Sequence, residues 1–300
     1  MAQQKKLVAT EATRRRRSNN VLTQLTDERL AAAVELNSAE LLRLEGRLPW
    51  VEFHDDPDAL WIFAGDTWPR NSVALSRFTS ETAHRRVGEI LARHLEKKVA
   101  CNWIVGPVSQ PADLGQYLRA HGFKCMIHCA GMACDLDRMP KTASAPDGVT
   151  VQLVDEPPAL CPLTTERRRL RHKGRNLMAR MTPRQVWHFA ATATGKPVGE
   201  TTLCIGAGVA GIYDVIVLEK FRGRGIGSAL VYAALRHAKN LGYRAAVLGA
   251  TGMGLGIYAR LGFREVCKLS FWKYGKMRQQ TNFADLLQRI HRSFSAGSSR

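Results

Sequence analysis

Apolar residues recur along this chain at strand-like and helix-like spacings, and the clearest series lies between residues 211 and 263. Gly211 to Leu218 (GIYDVIVL) is apolar and rich in β-branched residues, which predicts a buried strand. A polar loop follows, and Ser228 to Leu241 then places apolar residues on one face at helical spacing. The run from Arg244 to Gly249 (RAAVLG) predicts the next strand. A strand, a loop, a helix and a second strand are therefore expected here in that order.

The same alternation runs through the rest of the chain. Helices are predicted between Thr26 and Gly46, at 82–98, 111–123 and 165–181, and more weakly at 282–294. Strands are predicted at 50–53, 60–64, 71–78, 100–106, 124–136, 149–154, 187–193, 197–205 and 266–274. Turn formers at 54–58 separate the first two strands. The inward face of the helix at 82–98 is expected to consist of Val87, Ile90, Leu91 and Leu95.

The loop between the strand and the helix of the first series carries glycine at 223, 225 and 227. A strand that enters a glycine-rich turn and opens a helix is a place for an anion, because glycine lets the backbone approach closely and the first helical turn has free N–H groups. A P-loop would need Lys followed by Ser or Thr after the last glycine, but Ser228 and Ala229 stand there. A dinucleotide site would need G-x-G-x-x-G, whereas these glycines are spaced G-x-G-x-G.

The loop does fit the spacing R-x-x-G-x-G, which is formed by Arg222, Gly225 and Gly227. Together with the preceding strand and the ending Y-x-x-L-G-F at 258–263, this spacing resembles the GNAT superfamily of N-acetyltransferases. The resemblance implies the α+β class, with a mostly antiparallel mixed sheet flanked by helices. It also implies transfer of an acetyl group from acetyl-CoA to a primary amine, by direct attack in a ternary complex.

The resemblance further implies a site for acetyl-CoA. In this family the pyrophosphate lies against the loop and the helix N-terminus, and the pantetheine arm lies along the preceding strand. The corresponding residues here are Arg222, Gly223, Arg224, Gly225, Ile226, Gly227 and Ser228 in the loop and Val215, Ile216 and Val217 in the strand. Thr251 fits a position at which many members carry a polar side chain that touches the cofactor. The segment that contains it, 249–256 (GATGMGLG), is predicted to be a glycine-rich loop.

Two side chains are candidates for the acid–base chemistry that the resemblance implies. Tyr258 holds the family's position for the general acid, which protonates the departing thiolate of CoA. Asp214 is a candidate for the base that takes a proton from the amine, and Glu200 on the neighbouring strand is the alternative. The backbone N–H of Val217 corresponds to the family's donor to the thioester oxygen. The resemblance implies no metal.

The two halves of the chain resemble each other at an offset of about 140 residues. The helix at 82–98, the strand at 100–106 and the phrase LRAHGF at 118–123 correspond to a helix, a strand and the YARLGF phrase in the second half. The first half has no glycine loop, and Leu118 stands where the second half has Tyr258. We therefore expect two GNAT-like domains in tandem, the first a degenerate copy. The expected divisions are a disordered basic arm at 1–20, a degenerate domain at 21–139, a linker at 140–148, a catalytic domain at 149–280 and a tail at 281–300.

Composition predicts a cytoplasmic protein with reduced thiols and no membrane span. The chain has no run of about 18 apolar residues, and its first residues lack the apolar segment of a secretory signal. Seven cysteines, an odd number, fit reduced thiols in the cytosol. The spacing of Cys125, Cys129 and Cys134 lacks the second paired cluster of a zinc site, so no metal is predicted there either.

The net charge of +18 is carried by three segments, at 1–20, 166–184 and 264–300. Basic segments of this kind suit contact with nucleic acid as well as solvated tails and helix faces. A non-catalytic GNAT-fold protein that binds nucleic acid or regulates another protein is therefore the alternative to an enzyme whose acceptor is a small-molecule or protein amine. A nicotinamide site at the GATG run, 249–252, is a weaker alternative because the acidic ribose ligand of such sites is missing.

Overall fold

The computed structural model describes residues 21–65, 71–143, 145–160, 163 and 165–275. Contacts divide the described residues into two compact units, each assembled from three segments. Unit 1 draws on Met1–Leu41, Gly131–Pro162 and Arg175–Val266, and unit 2 on Leu42–Ala130, Leu163–Gly174 and Cys267–Arg300. Each unit takes segments from both of the expected domains, at 21–139 and 149–280. That division into domains stays a prediction. The basic arm at 1–20 and the helix expected at 282–294 lie outside the described residues.

The described residues form six α-helices and eleven strands. The helices are α1 (Asp27–Gly46), α2 (Ser80–Glu96), α3 (Leu114–Ala120), α4 (Glu166–Ala179), α5 (Ile226–Asn240) and α6 (Gly252–Arg260). The first five strands are β1 (Glu52–Asp56), β2 (Ala59–Phe63), β3 (Ser72–Ala74), β4 (Cys101–Val105) and β5 (Lys124–Asp135). The others are β6 (Val149–Val154), β7 (Val186–Ala193), β8 (Lys196–Gly206), β9 (Val209–Val217), β10 (Ala245–Ala250) and β11 (Arg264–Tyr274). This order of helices and strands confirms the α+β class.

Unit 2 contains a mixed sheet in which β1, β2, β3, β4 and β11 are neighbours in that order. All of these pairs are antiparallel except β3 with β4. Its core joins α2 and α3 to the sheet through apolar side chains that include Val87, Ile90, Leu118, Trp103 and Phe123.

Two predictions for unit 2 are wrong in detail. Leu95 was expected to face the core but is 46% exposed, because His94 takes the inward position in the last turn of α2. The segment 54–58 was expected to be a turn, but β1 continues to Asp56 and pairs with β2 up to Ala59. His54 is held in this strand by stacking on Trp61, with ring centroids 3.7 Å apart.

Unit 1 contains β10, β9, β8, β7 and β6 as successive neighbours. The pairs from β6 to β9 are antiparallel, and β9 with β10 is parallel. Helix α5 packs along β8 and β9 through an apolar face that includes Ala229, Leu230, Ala234 and Ala238. The amphipathic helix expected at 228–241 is thereby confirmed, and it begins two residues earlier than predicted.

Asn37 of α1 fixes the start of β9. Its Nδ2 donates to the carbonyl oxygens of Cys204 at 3.3 Å and Gly206 at 2.9 Å, and the Tyr213 hydroxyl donates to its Oδ1 at 2.6 Å. A Cβ on Gly211 would lie 1.8 Å from that Oδ1, so only glycine fits here. The buried amide therefore explains the glycine at the third position of β9.

Both units contain the same helix ending before a strand. Gly122 and Gly262 have φ values of 83° and 90°, which glycine adopts without strain. The N–H groups of the following Phe123 and Phe263 donate to the carbonyls of Leu118 and Tyr258, each at 3.0 Å. Leu118 and Tyr258 thus hold corresponding positions in the two units, as the LRAHGF and YARLGF phrases predicted. Within the part of the chain that the structure describes, no helix is both long and apolar enough to span a bilayer.

Candidate active site

A bulge interrupts β9 immediately before its last residues. Glu200 of β8 pairs with Ile216 and Thr202 pairs with Tyr213, so one residue of β8 faces two of β9. Asp214 lies in this bulge with a φ of 51°, a conformation in which aspartate is tolerated better than most residues. Thr201, the residue of β8 opposite the bulge, donates from Oγ1 to the carbonyl of Tyr213 at 3.0 Å. The hydrogen bond from Thr201 therefore holds the bulge of β9 against β8.

Beyond the bulge, the edge of β9 that faces away from β8 has backbone donors to offer. The residues of β10 that pair with β9 lie opposite Ala210 and Gly211, well before the bulge. Leu218 donates to the carbonyl of Val198 at 2.8 Å, which directs its N–H toward β8. Because successive N–H groups of a strand point to opposite sides, the N–H of Val217 points away from β8.

The glycine loop leads into α5 without a side-chain cap. Gly223 and Gly225 have φ values of 73° and 83°, and Gly225 is the N-cap residue, with no side chain bonded to the first turn. A Cβ at either position would meet open space, so the backbone conformation is what requires glycine there. The first turn of α5 therefore presents the N–H groups of Ile226, Gly227 and Ser228, and the positive end of the helix dipole, without an internal acceptor.

Three elements meet at Gly227. An ideal Cβ on Gly227 would lie 3.9 Å from Cγ2 of Val217 and 4.0 Å from both Cγ1 of Val215 and Cδ1 of Ile257. The last residues of β9, the first turn of α5 and the middle of α6 are therefore close neighbours. The structure brings together here the predicted strand residues and the predicted loop residues.

The two arginines of the loop have different contacts. Arg222 donates from Nε to the carbonyl of Val217 at 3.2 Å, and so ties the loop to the end of β9. The guanidinium of Arg224 lies over the ring of Phe221, 5.6 Å from its centroid. Arg222 is half-buried and Arg224 is exposed.

The segment 249–256 is not the loop that its glycines predicted. It contains the start of α6, with Thr251 as the N-cap residue, and the Thr251 side chain makes no capping hydrogen bond. A Cβ on Gly254 would lie 2.4 Å from Cε2 of Tyr258 one turn later. The ring therefore packs on the backbone of α6, in a segment that is helical although its glycine content disfavours a helix.

Tyr258 is half-buried in α6, with its ring 5.9 Å from that of Phe263 in an edge-to-face arrangement. Burial raises the pKa of Tyr258 to about 12 from its ordinary value of 10.0. Its hydroxyl makes no hydrogen bond to any described residue. The phenol is therefore protonated at neutral pH and has a proton to donate.

The two candidate bases differ in accessibility. Glu200 is 3% exposed, and its Oε1 accepts from Nη1 of Arg175 at 2.8 Å in a buried ion pair. Asp214 is half-buried at the bulge. The structure thus places Glu200 in the interior beneath α4 and Asp214 nearer the surface of the same sheet.

Sequence reasoning missed the polar groups that surround Glu200. Arg175, His188 and Thr202 are all buried and are hydrogen-bonded to one another, as described further below. A signal was present, since His188, Glu200 and Thr202 are polar residues inside otherwise apolar strands.

The cysteines considered for zinc include buried thiols. Burial raises the pKa of Cys129 to about 11 and that of Cys134 to about 12. Cys125 is half-buried, with its Sγ 3.4 Å from Nε2 of His128. Among the described residues no group of three or more His, Cys, Asp and Glu side chains is arranged to hold a metal ion.

The Acetyltransferase (GNAT) family model matches residues 155–263, which include the bulged strand, the loop, α5 and α6. An uncharacterized N-acetyltransferase of Methanocaldococcus jannaschii is 36% identical over 94 residues. This match covers 28% of the chain and 42% of the relative, so the chain spans less than half the length of that protein.

Solved structures share the fold over most of the chain. A GCN5-related N-acetyltransferase from Kribbella flavida aligns with a TM-score of 0.59 at 17% identity, covering 82% of this chain and 96% of that one. A tandem GNAT protein from the clavulanic acid biosynthesis pathway aligns with a TM-score of 0.52 at 17% identity, covering 84% and 96%. These identities establish similarity of fold alone. The chain is therefore similar to GNAT acetyltransferases in sequence through residues 155–263 and in fold over most of its length.

Proposed function

We propose that this protein is an N-acetyltransferase that moves an acetyl group from acetyl-CoA to a primary amine by direct attack in a ternary complex. The observation that carries the proposal is the uncapped first turn of α5 directly beside the bulged end of β9. Both features belong to unit 1, and within the described residues both offer backbone N–H groups that lie outside the hydrogen bonds of the sheet and the helix. This combination fits a long ligand with a diphosphate at one end and amides along its length.

The first turn of α5 would bind the pyrophosphate. The N–H groups of Ile226, Gly227 and Ser228 are aligned donors at the positive end of a 15-residue helix. The positive φ angles of Gly223 and Gly225 shape the preceding loop, and exposed Arg224 adds a cation at its surface.

The end of β9 would bind the pantetheine arm and the thioester. Pantetheine has amide groups, so it can lie along Val215–Val217 in the manner of an added strand. The N–H of Val217 points away from β8 and is available to donate to the thioester oxygen as negative charge develops on it. The Thr251 hydroxyl, which makes no cap, is a further candidate contact to the cofactor.

Tyr258 and Asp214 would carry the proton transfers. The raised pKa of Tyr258, about 12, keeps the phenol protonated but makes it a weaker acid than the departing thiol, so its proton moves to sulfur only as the C–S bond breaks and negative charge develops there. The hydroxyl bonds to no described residue and is available for this transfer. Asp214 takes a proton from the substrate ammonium, directly or through water, and the resulting amine attacks the thioester carbonyl. Asp214 suits this role better than Glu200 because Glu200 is buried in an ion pair with Arg175.

The corresponding helix of unit 2 is closed to an anion. The Thr79 side chain accepts from the N–H of Thr82, and the Thr82 side chain accepts from the N–H of Thr79, which completes a capping box at the start of α2. Glu81 adds a negative charge to the same turn. We therefore assign acetyl-CoA to unit 1 and propose that unit 2 is a degenerate copy without this ligand.

Calorimetric titration with acetyl-CoA tests the proposal. We expect saturable binding by the full chain and release of free CoA with at least one member of an amine panel. Gly225→Glu should abolish binding, because it adds a negative charge where the pyrophosphate lies and forces a side chain into a left-handed conformation. Thr79→Glu at the start of α2 places the same charge at the corresponding helix of unit 2 and should leave binding unchanged. A wild-type chain without saturable binding would exclude the enzyme.

One observation favours the alternative function. Helix α4 exposes Arg168, Arg169 and Lys173, a basic surface that suits nucleic acid or an acidic protein. Under this alternative the chain transfers no acetyl group to any amine, and it binds nucleic acid with an affinity that falls steeply with salt. A charge-reversed Arg168→Glu/Lys173→Glu variant would then lose that binding while its unfolding transition stays in place.

A further inference from the structure

We propose that the buried network of Arg175, Glu200, Thr202 and His188 positions the catalytic end of β9, with Arg175 as its central positioning residue. This inference rests on the proposed function, because the strand it holds is the one assigned to the thioester. The network touches neither substrate in the proposed site. Its effect on the reaction passes through the backbone of β8 and β9.

The network is buried and its members are bonded to one another. Arg175 is 7% exposed, Glu200 3%, Thr202 4% and His188 0%. Arg175 donates from Nη1 to Glu200 at 2.8 Å and from Nη2 to Thr202 at 3.4 Å. His188 contacts Thr202 through Nδ1 at 3.0 Å and the carbonyl of Arg175 through Nε2 at 3.2 Å. One arginine therefore joins α4 to both β7 and β8.

The Arg175 carbonyl fixes one proton of His188. A carbonyl oxygen only accepts, so Nε2 of His188 donates to it and carries a ring proton. Burial, with nearby Arg175 as the next cause, lowers the pKa of His188 to about 3, so the ring is neutral at pH 7 and Nδ1 is an acceptor. The Thr202 hydroxyl therefore donates to Nδ1 and accepts from Arg175.

Two members of the network, Glu200 and Thr202, belong to β8 and lie on either side of Thr201, which bonds to the bulge. Glu200 pairs across the sheet with Ile216, and Thr202 pairs with Tyr213. Thr201 lies between them and donates to the Tyr213 carbonyl at 3.0 Å. Anchoring Glu200 and Thr202 to Arg175 therefore sets the position of Thr201 and, through it, the bulge. The bulge in turn sets the direction of the Val215–Val217 backbone.

Arginine suits this role because its planar group offers several donors at fixed angles. Lysine would place a single ammonium group that cannot hold Glu200 and Thr202 in the same fixed geometry. A displacement of about 1 Å in a group that positions the reaction can lower turnover by about 10²-fold. Loss of the network should consequently lower turnover more than it weakens the binding of acetyl-CoA, because the pyrophosphate is assigned to α5 and not to β9.

The test compares Thr202→Val with Thr202→Ser in the full chain. Valine keeps the shape of threonine and removes the hydroxyl that joins Arg175 to His188, whereas serine keeps the hydroxyl. We expect Thr202→Val to lower kcat about 10-fold or more with little change in the calorimetric Kd for acetyl-CoA. We expect Thr202→Ser to restore most of the activity. Lys239→Met, which removes an ion pair with Asp137 at the far end of α5, is the control and should leave kcat unchanged.

Two further measurements do not depend on activity. Amide hydrogen exchange at Ile216 and Leu218, whose N–H groups face β8, should be faster in Thr202→Val than in the wild type by about tenfold. The ¹⁵N spectrum of His188 should show a neutral ring protonated at Nε2 in the wild type, and the Nδ1 resonance should shift in Thr202→Val, because Nδ1 loses its donor while Nε2 keeps the Arg175 carbonyl.

The outcomes separate this inference from the proposed function. If the wild-type chain binds no acetyl-CoA, the proposed function fails, and the exchange and ¹⁵N results alone decide whether the network holds the strand. If the wild type is active and Thr202→Val matches it in kcat and in exchange, the positioning role is wrong. Arg175→Lys provides a second variant, expected to resemble Thr202→Val, and wild-type turnover by Arg175→Lys would contradict the role assigned to arginine.

Discussion

The ring of Tyr258 lies directly on the backbone of Gly254, so that a Cβ at position 254 would come within 2.4 Å of Cε2 and 3.2 Å of Cζ. A contact of that length is far inside van der Waals distance, and the ring would have to move to relieve it. Gly254 is therefore required for the observed position of Tyr258, the proposed general acid. This contact explains one of the three glycines of α6.

Gly254→Ala should therefore impair turnover without removing binding. The added methyl group displaces the Tyr258 hydroxyl, and we expect kcat to fall by about 10- to 100-fold while acetyl-CoA still binds at α5. Gly256→Ala is the matched control, since its Cβ would lie 3.6 Å from Nη1 of Arg260, an ordinary contact. Steady-state kinetics measures kcat for both variants, and calorimetry measures their binding of acetyl-CoA. Equal kcat values for the two variants would contradict the positioning of Tyr258 by Gly254.

Tyr258→Phe should retain the fold and the cofactor and lose the proton donor. We expect unchanged binding of acetyl-CoA and a kcat lower by about 10²-fold, the usual contribution of one general acid. Because burial raises the pKa of Tyr258 to about 12, the tyrosine stays protonated over the whole assay range. The ratio of wild-type to variant kcat should accordingly be constant between pH 7 and about pH 10. A ratio that falls above pH 9 would show a phenol with a lower pKa.

Thr79→Ala should weaken unit 2 and leave the acetyl-CoA site intact. It removes the capping box of α2, at an expected cost of about 1 kcal/mol in the free energy of unfolding. Thr79→Ser keeps the hydroxyl and is the matched control. Urea unfolding monitored on the full chain, with calorimetry on the folded variants, separates the two effects. A marked change in acetyl-CoA affinity in Thr79→Ala would contradict the assignment of the ligand to unit 1.

His188 makes the stability of the protein depend on pH on the acid side. Burial, with nearby Arg175 as the next cause, lowers the pKa of His188 from its ordinary value of 6.5 to about 3. Between these pH values the unfolded chain binds a proton that the folded chain does not, so this contribution to stability is present above pH 6.5 and is lost as the pH falls toward 3. The loss should approach about 1.4 kcal/mol per pH unit.

Urea unfolding of the wild type and of His188→Gln at pH 7 and pH 5 measures this effect. The variant cannot take up the proton, so its stability should fall less than that of the wild type over the same interval. The burial of His94 in unit 2 also lowers its pKa, and the comparison between the two proteins removes that shared contribution. Parallel curves for wild type and variant would show that His188 is not buried in the neutral form.

Local pattern predicted the regular elements well because each of them repeats a simple rule over many residues. The strands predicted at 187–193 and 197–205 agree with β7 and β8, and helical spacing predicted α2 and α5 to within a few residues at each end. Predictions failed where a single contact decides. His94 rather than Leu95 faces the core of unit 2, and the segment 249–256 contains the start of α6, on whose backbone the ring of Tyr258 packs.

The sequence by itself determined the order of strands and helices apart from α6, the repeated helix ending at Phe123 and Phe263, and the glycine loop at 223–227. Those features depend on neighbours within one or two turns of chain, which the amino-acid order specifies directly. Only the tertiary structure decided that Gly225 begins an uncapped helix beside a bulge at Asp214, and that Arg175 meets Glu200 beneath it. The contact between Arg175 and Glu200 joins residues 25 positions apart on different elements. Local sequence spacing does not indicate which buried charges form a pair.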